Sequence, residues 1–368
     1  MTGHRFLTGL AALVVLAAPA AAQRRYTPPP VKHVFVIVLE NKSYDETFGP
    51  GSGAPYLART LVGQGALLRQ YFGTGHASLD NYVSMVSGLA PTRATQTDCE
   101  RYVEFVQTGT APDGQPVGEG CVYPAHVKTI ANQLMARGLT WKGYMEDMGN
   151  DPSREAARCG HAAIGTVDRT ERAAHNDQYA AKHNPFVYFH AIVDSASCQA
   201  NDVPLTDLTR DLASAATTPN YSYIVPNLCN DGHDLHCANG DTGGLVGINR
   251  FLTEWVPRIV HSPAFRKDGL LIITFDEAQS ADKTACCNEQ SGPNTRSAGA
   301  GGPGGGRIGT VVLSPFVRPG TVSDVPYNHY SMLKSVEEIF GLPYLGYAGQ
   351  PGLVAFGKDV YTRPGGGK

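Results

Sequence analysis

The 368-residue sequence is sparing with charge and favours neither sign. Asp, Glu, Lys and Arg make up 17% of it, and 30 basic residues stand against 33 acidic ones, a net charge of −3. The basic residues are scattered, so the positive stripe that grips a nucleic-acid backbone is missing and no nucleic-acid partner is expected. Neither an internal repeat nor a heptad pattern occurs. The glycine run "GPGGGRIG" (302–309) lacks the Gly-Lys-Ser/Thr ending of a nucleotide phosphate loop. The absence of a C-x-P-x-R or S-x-P-x-R segment argues against a sulfatase, and the absence of paired C-x-x-C spacing against a cysteine zinc site. Long apolar runs are also lacking. The one in "MTGHRFLTGLAALVVLAAPAAAQ" (1–23) holds about 12 apolar residues, too few to span a bilayer.

That opening stretch reads instead as a secretory signal. His4 and Arg5 form a short basic front, Leu7 to Ala18 an apolar core, and Ala20 and Ala22 an A-x-A cleavage site. Residues 1–22 are therefore expected to be removed, leaving a secreted or periplasmic protein with no stable membrane anchor. Residues 23–31 are a proline-rich lead-in, 32–350 a single domain and 351–368 a tail.

Eight cysteines suit an oxidising compartment. Local closure favours Cys99–Cys121, Cys159–Cys198 and Cys229–Cys237, and leaves the adjacent Cys286 and Cys287 to form a vicinal bridge.

Hydrophobic residues make up 42% of the chain. Apolar runs at 33–39, 66–72, 221–225, 270–275 and 310–314 read as buried strands. Helix-like segments lie at about 79–87, 127–138, 243–262 and 329–341. The alternation predicts an α/β/α sandwich around a mostly parallel sheet. The stretch 90–215 is poorer in strands and holds four of the cysteines, so it reads as a loop-rich elaboration of the same domain. Residues 278–307 read as a mobile, glycine-rich surface loop.

Two strands end in acids. "HVFVIVL" runs into Glu40-Asn41, and "LLIITF" into Asp276-Glu277. In open α/β sheets ligands gather at the carboxyl ends of strands. Asp and Asn also suit turns and caps, so one such ending says little. Two brought to one edge would repel unless a cation compensated them, and oxygen ligands suit a hard divalent metal ion. In "GTGHASLDNYVSMVSG" (73–88), Ser78 precedes a helical pattern. It reads as an ordinary N-cap or as a nucleophile at the helix's positive end, with Asn81 projecting on the same side. Histidine segments add His183 (after Lys182), His233 (with Asn227, Asn230, Asp231 and Asp234 around it) and His329. Glu146 follows a possible further strand.

The blocks "HVFVIVLENKSYDETFG", "HASLDNY", "KHNPFVYF", "TFDE", "GGGRIGTVVLSPFVRPG" and "HYSMLKSVEEIFGLP", in this order over about 32–347, resemble the bacterial phosphoesterase family of acid phosphatases and phospholipase C-type enzymes. That family is related to the alkaline phosphatase superfamily. The resemblance implies an alkaline-phosphatase-like fold, with Glu40, Asn41, Asp276 and Glu277 binding a divalent metal and Ser78 as both metal ligand and nucleophile. His183, His233 and His329 would surround the phosphate or its leaving group. Ala77 and Asp80 stand where the family pattern has prolines. The expected reaction is hydrolysis of a phosphate monoester through a phosphoserine. The alternatives are a phospholipase C acting on a phosphodiester lipid headgroup and a non-catalytic protein that binds metal or phosphate.

Overall fold

Seven consecutive residues, His33–Leu39, form a strand buried along its whole length. Side chains alternate between the faces of a strand, so such burial requires cover on both sides of the sheet. A computed structural model describes residues 26–363. The signal reading of 1–22 lies outside the described residues, as does the end of the tail. In chain order the strands are β1 (His33–Leu39), β2 (Ala66–Leu68), β3 (Tyr71–Phe72), β4 (Val106–Thr110), β5 (Pro116–Glu119), β6 (Trp141–Met145), β7 (Asp202–Pro204), β8 (Tyr221–Val225), β9 (Gly269–Phe275), β10 (Thr310–Leu313), β11 (Thr321–Ser323) and β12 (Tyr327–Asn328).

Eight of these make one sheet in the order β11-β2-β10-β9-β1-β8-β6-β7. Within it β10 alone runs against its neighbours. Two groups of helices pack within themselves and supply the cover. One contains Ser78–Ser87, Ile130–Ala136 and His329–Phe340. The other contains Tyr56–Leu61, Gly244–Val260 and Pro263–Asp268. This is the expected layered α/β architecture, with β1 at its centre. Truncating a fully buried β1 residue such as Ile37 to Ala is expected to cost about 2–5 kcal/mol.

The run 66–72 does not form one strand. Arg69 interrupts it, turning outward to pair with Asp324 at 2.7 Å, and the chain resumes as β3, which pairs with β12 outside the main sheet. A long cationic side chain has no place inside an apolar sheet, so the strand breaks there. The segment 127–138 yields only Ile130–Ala136, because a reciprocal capping box between Thr129 and Asn132 fixes the helix start. The elaboration from 90 to 215 contributes β6 and β7 to the main sheet, so it is built into the domain. All eight cysteines pair as expected, the vicinal bridge included. The glycine-rich stretch is tied down rather than free. Gly305 donates to Gly73 O and accepts from Ala278, and its neighbour Gly306 donates to Thr284 O. Among the described residues no helix is long and apolar enough to cross a membrane.

Candidate active site at the carboxyl ends of the strands

Strands β9, β1 and β8 are adjacent and parallel, so they end at one edge. The backbone bonding continues past them. Asp276 N–H donates to Leu39 O at 2.9 Å, and Glu40 N–H donates to Asp231 O at 2.8 Å. This sets Glu40, Asp231 and Asp276 side by side, each 0% exposed. Asn41 follows in a positive-φ conformation (25°), which Asn tolerates better than most residues. Its N–H reaches Asp276 Oδ1 (3.2 Å), and its side-chain amide donates to Glu277 Oε1 (2.8 Å).

Ser78 comes to this edge from the other side. Ala77 is extended and acts as N-cap, so Ser78 is the first helical residue and its hydroxyl is not used in capping. Instead Oγ donates to Glu40 Oε2 at 2.9 Å. The helix ends at Gly88 (φ 69°), where a Cβ would stand 2.2 Å from Leu345 O. Asn81 was expected to project on the side of the Ser78 hydroxyl, but its side chain is occupied with the loop before Ser78. Its Oδ1 accepts the N–H groups of Thr74 and Gly75, both at 2.9 Å. Its amide donates to Gly75 O, Ala77 O and Glu277 Oε2. The helix N-terminus is likewise partly spent, since Leu79 N–H donates to Asp98 Oδ1 at 3.0 Å.

The three histidines lie in different surroundings. His183 is buried between carboxylates, with Nε2 3.3 Å from Glu40 Oε1 and Nδ1 3.2 Å from Asp231 Oδ2. Its ring stacks on Tyr82 at 5.2 Å. His329, expected near the leaving group, is 0% exposed. Its Nε2–H donates to the Asp276 carbonyl, and Nδ1 lies 3.4 Å from the Tyr71 hydroxyl, so this ring braces the strand end instead. His233 is the one of the three that is open to solvent. Its Nδ1 lies 2.8 Å from Asp234 Oδ1, which leaves Nε2 free of that pairing.

Burial, followed by repulsion from Asp276 and Asp231, pushes Glu40 well above the usual carboxylate range. Burial also raises Asp231 and Glu277, and takes Asp276 to about 7. It drives His183 well below its ordinary value and His329 to about 4. Glu40 Oε1, Asn41 Oδ1, Asp231 Oδ2, Asp276 Oδ2 and both His183 nitrogens are buried without a hydrogen-bond partner. Such atoms are costly unless something positive satisfies them. This donor set of hard oxygens with one imidazole fits a divalent cation. The carboxylates and His183 do not form a nest of three ligand atoms within 4.8 Å of one another. Among the described residues such nests occur only where disulfide-bonded cysteines contribute, at Cys159–Cys198 with Asp202 and at Cys286–Cys287 with Glu289.

Sequence reasoning missed His76 and Asp98. His76 Nδ1 lies 3.1 Å from Glu277 Oε2. Asp98 binds the N-terminus of the Ser78–Ser87 helix and, through Oδ2, Lys182 at 3.4 Å. No periodicity marks either residue, and the only available signal was that His76 lies two positions before Ser78. Asp80 is buried with both oxygens unpartnered, close under Gly75, where a Cβ would stand 2.0 Å from Asp80 Oδ1. Glu146 does follow a strand, but its two oxygens accept from Asn227 N–H and the Asn230 amide and so pin the loop after β8. A cleft of about 830 Å³ opens beside the edge, lined by Asp98, Glu171, Arg172, Lys182 and His233 among others.

The Phosphoesterase family profile matches residues 54–343, and the chain belongs to that family. It is 27% identical over 318 residues to a probable acid phosphatase of Kluyveromyces lactis, an alignment covering 86% of this chain and 59% of that protein. It is 26% identical over 332 residues to the phosphatidylinositol-3-phosphatase of Mycobacterium tuberculosis, covering 90% and 84%. The chain thus spans little more than half the length of the yeast relative. A solved structure from Vibrio parahaemolyticus, described as belonging to the alkaline phosphatase superfamily, superposes with a TM-score of 0.48 at 12% identity, covering 89% of this chain and 71% of that one.

Proposed function

We propose that the protein is a secreted, metal-dependent hydrolase of phosphate monoesters in which Ser78 is the nucleophile. The observation that carries this reading is the Ser78 Oγ–Glu40 Oε2 hydrogen bond at 2.9 Å, made at the start of a helix beside buried carboxylate oxygens that lack partners. The names of the two relatives support a phosphatase, and four disulfides with a signal-like leader support export.

Glu40, Asp231, Asp276 and His183 would hold the divalent cation, with Asn41 Oδ1 and Ser78 Oγ beside them. When bound, such an ion lowers the pKa of a neighbouring hydroxyl and neutralises charge on a phosphoryl oxygen. Glu277 accepts the Asn41 and Asn81 amides and so orients both. Asn81 holds the 74–77 loop and with it the direction of Ser78 Oγ. Ser78 Oγ passes its proton to Glu40 Oε2, to which it is already hydrogen-bonded, and attacks phosphorus as the P–O bond to the alcohol breaks. His233 Nε2 donates a proton to the departing oxygen, with Asp234 steadying the ring through Nδ1. Water then attacks the phosphoserine, His233 takes up its proton, and Glu40 returns a proton to Ser78 Oγ as the Oγ–P bond breaks and phosphate leaves. His329 takes no proton-transfer role, because both its nitrogens face protein.

The test is turnover of p-nitrophenyl phosphate by purified protein, with bound metals measured before and after chelation. Ser78→Ala is expected to reduce kcat at least roughly a thousandfold. Full turnover by that variant would overturn the nucleophile assignment.

A further inference from the structure

Lys182 is a buried cation on the cleft wall that the mechanism above leaves unused. It sits in the turn Ala181–His183, immediately before His183, and is 6% exposed. Its Nζ lies 3.4 Å from Asp98 Oδ2 and 3.5 Å from Glu171 Oε2. Both distances exceed the roughly 2.7–2.9 Å of a well-formed ammonium–carboxylate bond. An ammonium has three donors, so this one keeps capacity for another acceptor.

Asp98 links this cation to the nucleophile. One of its oxygens accepts Leu79 N–H, one residue beyond Ser78, and the other faces Lys182. Lys182 and His233 line the same cleft. Arg169, also on that cleft, already donates to Ser153 O at 2.8 Å, and Arg172 stands exposed on the lining. Lys182 is therefore the buried lining cation held nearest the nucleophile helix.

We propose that Lys182 is a specificity-determining residue that contacts a non-bridging phosphoryl oxygen and selects monoester dianions over diester monoanions. The proposal rests on the phosphatase reading and refines its substrate class. A phosphate monoester has a second ionisation near pH 6 and so carries about one more negative charge than a diester at neutral pH. A fixed ammonium in a partly desolvated cleft rewards that extra charge. A purely structural lysine would instead neutralise Asp98 and Glu171 and leave ester preference alone.

The experiment uses the metal-loaded protein and its Lys182→Met and Glu171→Gln variants. It measures kcat and KM for p-nitrophenyl phosphate and p-nitrophenyl phosphorylcholine, competitive inhibition by inorganic phosphate, and melting temperature. In Lys182→Met, monoester kcat/KM should fall roughly a hundredfold, chiefly through KM, with the phosphate inhibition constant rising in parallel and diester turnover falling less than about tenfold. In Glu171→Gln the ammonium loses a competing carboxylate, so phosphate should inhibit a few-fold more tightly. Equal losses for both esters in Lys182→Met, or unchanged KM and inhibition with a lowered melting temperature, would overturn the proposal. If Lys182→Met does not fold, unchanged or weaker phosphate inhibition in Glu171→Gln does the same. Wild-type protein that hydrolyses neither ester refutes the phosphatase reading, while phosphate binding to the two variants still reports on Lys182.

Discussion

Asp202 is buried as fully as Glu40 and Asp231, and Glu146 is half-buried, yet the two pairs lie in different settings. Burial takes Glu146 and Asp202 to about 7. Each has amide donors of its own: Asn227 N–H and Asn230 for Glu146, and Asn184 at 2.8 Å for Asp202. A single proton can make up what is missing there. At the edge formed by β1, β8 and β9, Glu40 is raised by burial and then further by Asp276 and Asp231. Partnerless oxygens of Glu40 and Asp231 flank one imidazole there, and Asp276 adds a third on the neighbouring strand end. Under the proposed function, a proton serves each isolated acid, whereas a cation serves the cluster on neighbouring parallel strands. The difference comes from topology, since adjacent parallel strands must finish at the same edge.

The largest effect expected from this contrast is the response to divalent cations. Adding Zn²⁺, Mg²⁺ or Ca²⁺ to chelated wild-type protein should raise its melting temperature, by about 2.7 kcal/mol of stability at a hundred times the dissociation constant. Glu40→Gln should abolish most of that response. It should melt no lower than wild type when both are chelated, because the amide removes repulsion from the cluster. Scanning calorimetry with and without chelator is the check. A wild-type melting temperature indifferent to every ion would mean that protons neutralise this cluster too, and the contrast would collapse.

A smaller effect of the opposite kind is expected at Glu146. In Glu146→Gln an amide NH₂ meets donors from Asn227 and Asn230, at a cost of about 1–3 kcal/mol. The loss should be the same in chelated and metal-loaded protein, since Glu146 contributes no cluster oxygen. A loss confined to the loaded form would place Glu146 among the ion's supports.

The parts of this site that could be read in the sequence were those written locally. Glu40 and Asp276 announce themselves because an apolar strand breaks abruptly into an acid, and Ser78 because it opens an amphipathic helix. The three short-range disulfides follow from loop closure. Asp98 stayed hidden because its meaning depends on contacts with Leu79 and Lys182, 19 and 84 residues away. His76 meets Glu277 only after the whole sheet has formed. The role of His329 was misjudged for the same reason. Its place at a helix start was legible, but the direction of its ring is set by a carbonyl 53 residues away. β7 was illegible because Asp202–Pro204 is short and mixed in character, and it becomes a strand only by pairing with β6.

The smallest predicted effect lies far from the cleft, at Glu337 in the helix His329–Phe340. Burial lifts this acid from the ordinary 4.5 to about 8, against opposing contributions from Leu345 N–H and Lys334, while Glu338 adds a minor push upward. The folded protein therefore holds a proton that the unfolded chain releases near pH 4.5. The stabilisation is fully present below that value and is lost as pH rises towards 8. Glu337→Gln should keep the hydrogen bond from Leu345 N–H, now made at 2.8 Å to Oε1, and carry no proton to lose. Its melting temperature should fall less steeply than that of the wild type between about pH 5 and 8, where one proton is worth at most about 1.4 kcal/mol per pH unit. Parallel pH profiles for the two proteins would show that Glu337 is ionised in the fold. Isolated buried acids would then not be kept neutral by protons, and the distinction from the cluster would fail at its simpler end.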